Sequence, residues 1–283
     1  MKSKSVVLTG ATSGIGKSLL KSLAAKNYSI AVVVRNANLG KATIEEISKA
    51  TGNQDIRLFV CDLASLEAVR NLAVQLQSEY PVIDILINNA GLINETRILT
   101  VDGYEHTWAV NHLAPFLLTH LLLPNLEKSG EGRIINLASE AQKMGRINLG
   151  DLNAEKSFSS FGSYCQSKLA NVIFTQELAR RIKSKSISVF AVHPGVVKTQ
   201  FGAGLKGFTS TMFKISAPFM RNADKGAETP LWLATMSKAP ESGGYYHDKK
   251  LIQPNAQALD VALVEAFWNK SCQMTGIEPI KAH

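Results

Sequence analysis

Ser5-Val6-Val7-Leu8-Thr9-Gly10-Ala11-Thr12-Ser13-Gly14-Ile15-Gly16 runs from an apolar stretch into a turn with three glycines. Leu19, Leu20 and Leu23 then recur on one helical face, so the segment reads as strand, tight turn and helix. Gly10, Gly14 and Gly16 let the backbone turn sharply and approach a ligand closely. The helix that follows aims unpaired N–H groups and its positive dipole end outward through Ser13, Gly14 and Ile15. A pyrophosphate suits that arrangement. The spacing is not GxGxxG, and a Gly-rich turn by itself can be no more than a tight connection.

Downstream, apolar runs alternate with helical patterns, the signature of a parallel, doubly wound α/β sheet. Ile30 to Val34 is a strand that ends at Arg35-Asn36. An NAD site places an acidic residue about 20 residues past the glycines, whereas Arg35 stands there, and a guanidinium suits a 2′-phosphate. Lys17 adds a second positive charge. NADP(H) is therefore expected over NAD(H); the plainer alternative is that Arg35 only terminates a strand.

A helix from about Leu39 to Ala50 and a strand from Ile56 to Val60 lead to Asp62-Leu63. Asp62 can accept from an adenine amino group, with the next N–H meeting a ring nitrogen, or it can cap the following helix near Ser65 and Glu67. The strand Ile83 to Ile87 runs into Asn88-Asn89-Ala90-Gly91, which is turn chemistry that also lets a flat ring lie close. Tyr104 to Leu126 is helical in pattern, with Asn111 inside it and Pro115 forcing a kink or break. Arg133 to Leu137 is a strand that delivers Ser139 to the same edge as Gly10, Asp62 and Asn89, where open parallel sheets bind ligands.

Tyr164-Cys165-Gln166-Ser167-Lys168 opens a long amphipathic segment. A phenol and an ammonium four residues apart share a helix face, and a fixed positive charge beside the phenol favours phenolate. The pair can then exchange a proton with an alcohol or carbonyl. An exposed Tyr and Lys at this spacing also occur by chance on many helices.

The 283 residues are 45% apolar and 19% charged, enough for one large core. A net charge of +8 has no basic stripe, which argues against nucleic acid and fits anionic ligands or an acidic membrane surface. Cys61, Cys165 and Cys272 lack metal-ligand spacing, so no metal is expected. No stretch reaches the roughly 18 apolar residues of a membrane span. With no signal peptide or anchor at the N-terminus, a soluble, cytoplasmic protein is expected, peripheral membrane contact remaining open.

Taken together, Thr9 to Gly16, Asp62-Leu63, Asn88 to Gly91, Asn111, Ser139, Tyr164 with Lys168, and Pro194-Gly195 followed by Thr199 resemble the short-chain dehydrogenase/reductase family. Asn111-His112-Leu113, Gln166 to Asn171, Glu177 to Arg181, Gly226 to Thr229 and Ser242 to Tyr246 make the chain most similar to its retinol-dehydrogenase-like branch. Two features depart from that branch: Ala138-Ser139 stands for paired serines, and Gln142 for a nearby histidine.

The resemblance implies a single Rossmann domain over residues 1–283 with a mainly parallel sheet of about seven strands, and hydride transfer between NADP(H) and an alcohol or carbonyl. In it Tyr164 is the general acid and Lys168 favours the phenolate and holds ribose hydroxyls. Ser139 donates to the substrate oxygen, and Asn111 positions a water. Gly10, Ser13, Gly14, Ile15, Gly16, Arg35, Asn36, Asp62, Leu63, Asn89, Ala90, Gly91, Pro194, Gly195, Val197 and Thr199 would line the cofactor.

Residues 140–160 are expected to edge the substrate site. Residues 201–223, with Phe201, Leu205, Phe208, Met212 and Phe213, read as a lid over a lipophilic substrate or as a packed amphipathic helix. Residues 256–277 read as a C-terminal helix. Members of the family are often dimers or tetramers, so a homo-oligomer is a candidate assembly. The competing expectation is a cofactor-binding scaffold or redox sensor with little catalysis.

Overall fold

The apolar runs form strands and the amphipathic runs cover them. The computed structural model describes residues 3–182, 186–195 and 222–280. In order come β1 (Ser5–Thr9), α1 (Gly14–Ala24), β2 (Ser29–Val34), α2 (Ala37–Thr51), β3 (Ile56–Val60), α3 (Leu66–Glu79) and β4 (Ile85–Asn88). Next are α4 (His106–Trp108), a π-helical turn (Ala109–Leu113), α5 (Ala114–Glu127), β5 (Gly132–Leu137), a 3-10 helix (Glu140–Met144), α6 (Ser160–Arg181) and β6 (Ile187–Val192). The last described elements are α7 (Ala223–Thr235), β7 (Tyr245–His247), β8 (Lys250–Leu251), a 3-10 turn (Ala256–Leu259) and α8 (Val261–Thr275).

Among the described residues the sheet has eight strands in the order β3-β2-β1-β4-β5-β6-β7-β8. Every pairing is parallel except the β7–β8 hairpin, which adds a two-residue eighth strand to the expected seven. The chain reverses direction across the sheet between β1 and β4. In open α/β sheets that switch point opens a crevice at the carboxyl ends of the strands.

β1 is buried at all five positions because helices cover both faces. Val6 and Leu8 pack with Leu19, Leu20 and Leu23 of α1 and Leu233 of α7, while Val7 faces Val69 and Leu72 of α3 and Phe116 of α5. The expected boundary at residue 223 falls inside an element, since Asn222 caps α7 and accepts from the Lys225 amide. The rest of the expected lid, 201–221, lies outside the described residues, as do Val197 and Thr199. Among the described residues no helix is long and apolar enough to cross a membrane.

The Tyr104 to Leu126 segment is irregular for a local reason. Pro115 has no N–H for the helical ladder, and the preceding turn widens to a π-helix in which the Ala114 amide reaches the Ala109 carbonyl. The C-terminal segment divides into its 3-10 turn and α8, which ends on left-handed Gly276. α8 seals the outer side of α5 and α6 with Phe267 and Trp268.

That seal buries His112 and His120. The His112 Nε2 lies 3.0 Å from the Ser271 hydroxyl, and His120 Nδ1 donates to the Phe116 carbonyl at 2.7 Å. Burial pushes the two imidazoles down, to about 3 and about 4 respectively. Their folded values lie below the unfolded value near 6.5, so the stability they confer is present above about pH 6.5 and lost as pH falls from there. Each adds a slope of up to about 1.4 kcal/mol per pH unit. Urea midpoints are expected to drop between pH 7 and pH 5, and to drop less in His120→Leu; equal drops in the two proteins would refute the assignment.

Candidate active site

The turn after β1 is built for close approach. Gly10 has φ +72° and Gly14 φ +53°, both in the left-handed region. A Cβ on Gly10 would lie 2.8 Å from the Ala90 backbone, and one on Gly16 would lie 2.0 Å from the Gly10 carbonyl oxygen. The two glycines are thus required by the turn's own packing as well as suited to a ligand. Asn89 locks the crevice by donating its Nδ2 to the Thr9 and Gly10 carbonyls, at 2.8 Å each.

Asn36, Ser65 and Ser159 cap α2, α3 and α6 with side-chain oxygens, whereas Ser13 makes no such bond at α1. The amides of α1's first turn therefore face the crevice without a side-chain acceptor, and that turn carries no acidic residue. A pyrophosphate fits this donor set. Leu63 and Ala90 meet across a small cleft floored by Thr9 and Pro115.

The N-cap of α3 is Ser65 and not Asp62. Ser65 accepts from the Ala68 amide, while Asp62 Oδ1 accepts from the Ala64 amide at 3.0 Å and holds its own turn. Arg35 is exposed at the end of β2. Asn36 is committed to its cap, accepting from the Leu39 amide at 3.0 Å. Lys17, the second expected charge, is 2.7 Å from the Glu46 carboxylate. Among the described residues, Arg35 has no such ion pair.

At the far side, Tyr164 and Lys168 lie one turn apart on α6, with Nζ 5.6 Å from the phenol ring centre. The Ser139 side chain lies close enough to the Tyr164 phenol to draw its pKa down. Lys168 Nζ donates to the Leu137 carbonyl at 3.0 Å, a carbonyl that Asn171 Nδ2 also reaches. Burial pushes Tyr164 up to about 12, with the Ser139 side chain opposing it, and pushes Lys168 down to about 8. The expected lowering of the phenol by its ammonium neighbour is not found: burial raises it, and the opposing influence comes from Ser139.

Asn111 is fully buried, and its side chain is engaged. Oδ1 accepts from the Leu92 amide at 2.8 Å, while Nδ2 donates to the Leu92 carbonyl at 2.9 Å and to Ser167 Oγ at 3.0 Å. The amide group pins the segment after Gly91 to α6. Pro115 leaves the Asn111 carbonyl without its usual helical donor four residues on, so the backbone is the part of Asn111 able to hold a water.

Several partners were not legible as site residues. Tyr245 donates its hydroxyl to the Ser139 carbonyl at 3.0 Å. Ser167 joins Asn111 to α6, and a buried chain runs from Asn88 through Asn136 to Thr175. Asn136 alone carried a signal, as a polar residue inside an apolar strand. Within residues 145–160, Ile147 and Leu152 join the core beside Leu169 and Val172, while Arg146, Asn148 and Glu155 to Ser157 are exposed. Pro194 and Gly195 stand at the same edge, directly after β6.

Residues 4–207 match the short chain dehydrogenase family. The chain is 37% identical to retinol dehydrogenase 12 of Bos taurus over 97% of its length and 87% of that protein's. It is 37% identical to retinol dehydrogenase 11 of Homo sapiens, covering 97% of this chain and 86% of that one. The crystal structure of an uncharacterised protein from Mycobacterium paratuberculosis superposes with a TM-score of 0.79 at 31% identity, spanning 97% of this chain and 94% of the other.

Proposed function

The chain belongs to the short-chain dehydrogenase/reductase family, and on that footing we propose that it interconverts an apolar alcohol and its carbonyl with NADP(H). The observation that carries this reading is the placing of Tyr164 beside Ser139, one helical turn from Lys168 and at the sheet edge shared with the glycine turn. The retinol dehydrogenases to which it is similar act, by name, on an apolar alcohol, which supports a retinol-like, steroid or other lipophilic substrate.

In reduction Tyr164 gives its proton to the carbonyl oxygen. Its upward-shifted pKa of about 12 keeps the proton in place at neutral pH. Ser139 donates to the same oxygen and stabilises the charge that develops there. Lys168 holds the ribose hydroxyls, and a water on the Asn111 carbonyl links it to solvent. The α1 amides hold the pyrophosphate, Asp62 and Leu63 the adenine, and Asn89, Ala90 and Gly91 the facing ring edge. Arg35 takes the 2′-phosphate. NADP(H), when bound, supplies or accepts the hydride.

Steady-state assays on a panel of apolar aldehydes and ketones, with NADPH and with NADH, test this. Turnover with NADPH is expected; tight NADPH binding without turnover anywhere in the panel would favour a cofactor-binding scaffold. A charge-assisted bond is worth about 1.5–3 kcal/mol, or roughly ten- to hundred-fold in affinity. Arg35→Ala is therefore expected to raise the NADPH KM by that factor and leave the NADH KM within about threefold. Equal effects on both cofactors would remove the 2′-phosphate role.

A further inference from the structure

β6 delivers His193 to the ligand edge, where its imidazole is buried between two turns of the site. Its Nδ1 receives two backbone donors, the Glu140 amide at 3.1 Å and the Gly195 amide at 3.3 Å. Glu140 directly follows Ser139, and Gly195 lies in the turn expected to meet the nicotinamide. The ring itself is well fixed. The His193 amide donates to the Tyr246 carbonyl at 2.9 Å, and the His193 carbonyl accepts from His247 Nδ1 at 3.0 Å. The two imidazoles stack with centres 4.5 Å apart and planes 25° apart.

We propose that His193 is a positioning residue: as a neutral imidazole it ties the Ser139 turn to the Pro194-Gly195 turn and so sets the serine hydroxyl against the nicotinamide site. The inference rests on the oxidoreductase reading above. Two amides converging on Nδ1 demand its lone pair, so the proton belongs on Nε2, which faces Glu140 Oε2 at 3.6 Å. Ser139 is then held on three sides. Its Oγ accepts from the Ala141 amide at 3.2 Å, its carbonyl accepts from Tyr245, and the amide that follows it is held by His193.

Protonation at Nδ1 would remove the acceptor and turn an N–H toward two others, so the tie exists only in the neutral ring. Among the described residues, the charged and titratable groups around it come from three elements. Glu140 and its partner Lys143, 2.6 Å apart, stand on the 3-10 helix. His247 and Tyr245 come from β7, and Asp248, 3.5 Å from His247 Nε2, from the turn after it. Against the opposing effect of burial, Lys143 and the two histidines hold the Glu140 carboxyl below its usual range. A carboxylate beside Nε2 favours the imidazolium, so the neutral tie is lost as the pH falls.

His193→Asn and His193→Leu separate the tie from mere bulk. Asn sets an oxygen at the branch position of Nδ1 and cannot titrate there, whereas Leu of similar size accepts nothing. Wild-type kcat is expected to fall as the pH is lowered from neutral. His193→Asn is expected to keep at least about half of the neutral-pH kcat and to lose that acid limb. His193→Leu should lose about tenfold in kcat at every pH with NADPH affinity little changed, the cost of misplacing a group by a fraction of an ångström.

Hydrogen exchange at the Glu140 and Gly195 amides provides a readout independent of turnover. Exchange is expected to be slow in wild type and His193→Asn and at least tenfold faster in His193→Leu. Slow exchange in a wild type that turns nothing over would overturn the oxidoreductase reading and not the tie. Unchanged exchange in His193→Leu, or a His193→Asn protein as impaired as His193→Leu, would overturn the tie. If His193→Leu does not fold, wild-type exchange and kcat across pH 5 to 8 decide: no acceleration on the acid side overturns the proposal.

Discussion

Tyr164→Phe is expected to bind NADPH as wild type does and to lose about a hundred- to ten-thousand-fold in kcat, the range for removing a general acid. The substitution keeps the ring that packs beside Lys168, 5.6 Å from its Nζ, and deletes only the hydroxyl beside Ser139. Binding survives because the proposed pyrophosphate and 2′-phosphate contacts come from α1 and Arg35. Ser139 still donates to the substrate oxygen, so the residual rate should exceed that of the uncatalysed reaction. Stopped-flow transfer of hydride from NADPH, with fluorescence titration of binding, reads both quantities. A variant that retained a tenth of the wild-type rate would show that the proton comes from elsewhere.

The second large effect is on stability. Trp268→Ala is expected to cost about 3–5 kcal/mol, as for other large aromatic truncations in a core. At about 2–4 °C per kcal/mol for a chain of this size class, the melting temperature should fall by roughly ten degrees. Trp268 is fully buried, with ring centres 5.1 Å from Phe116 and 5.2 Å from His120, and the Arg181 guanidinium 4.7 Å over its face. Arg181 in turn holds Glu177, Glu265 and the Ile280 carbonyl, so the cavity would open beside a buried ion network. Trp268 Nε1 has no hydrogen-bond partner, which makes Trp268→Phe much the milder change because no satisfied donor is removed. Calorimetry on the two variants checks this; a shift under about 3 °C for the alanine form would mean that α8 is not part of the cooperative core.

Much of the fold was legible because its signals are local. The β1 and β3 boundaries, Ser5–Thr9 and Ile56–Val60, coincide with their apolar runs. The α2 pattern extends by a residue or two at each end, where Asn36 and Gly52 supply caps. The segment around Pro115 was readable only as an interruption. Whether a proline kinks, breaks or widens a helix depends on what packs against it, and here the outcome is a π turn that places Asn111 under Leu92.

The sequence by itself determined the strand–glycine–helix opening, the order of strands and helices, and the placing of Tyr164 and Lys168 on one helix face. Each follows from a periodicity or a backbone preference that acts over a few residues. Only the tertiary structure decided what those groups experience. The phenol's pKa moves up because burial outweighs the influence of Ser139, and Lys17 is drawn to Glu46 on a different helix. Asn111 spends its amide on Leu92 and Ser167, while Tyr245 and His193 reach the Ser139 turn from strands far along the chain. Desolvation and hydrogen-bond partnership are properties of whatever the fold brings within a few ångströms, and no local spacing encodes them.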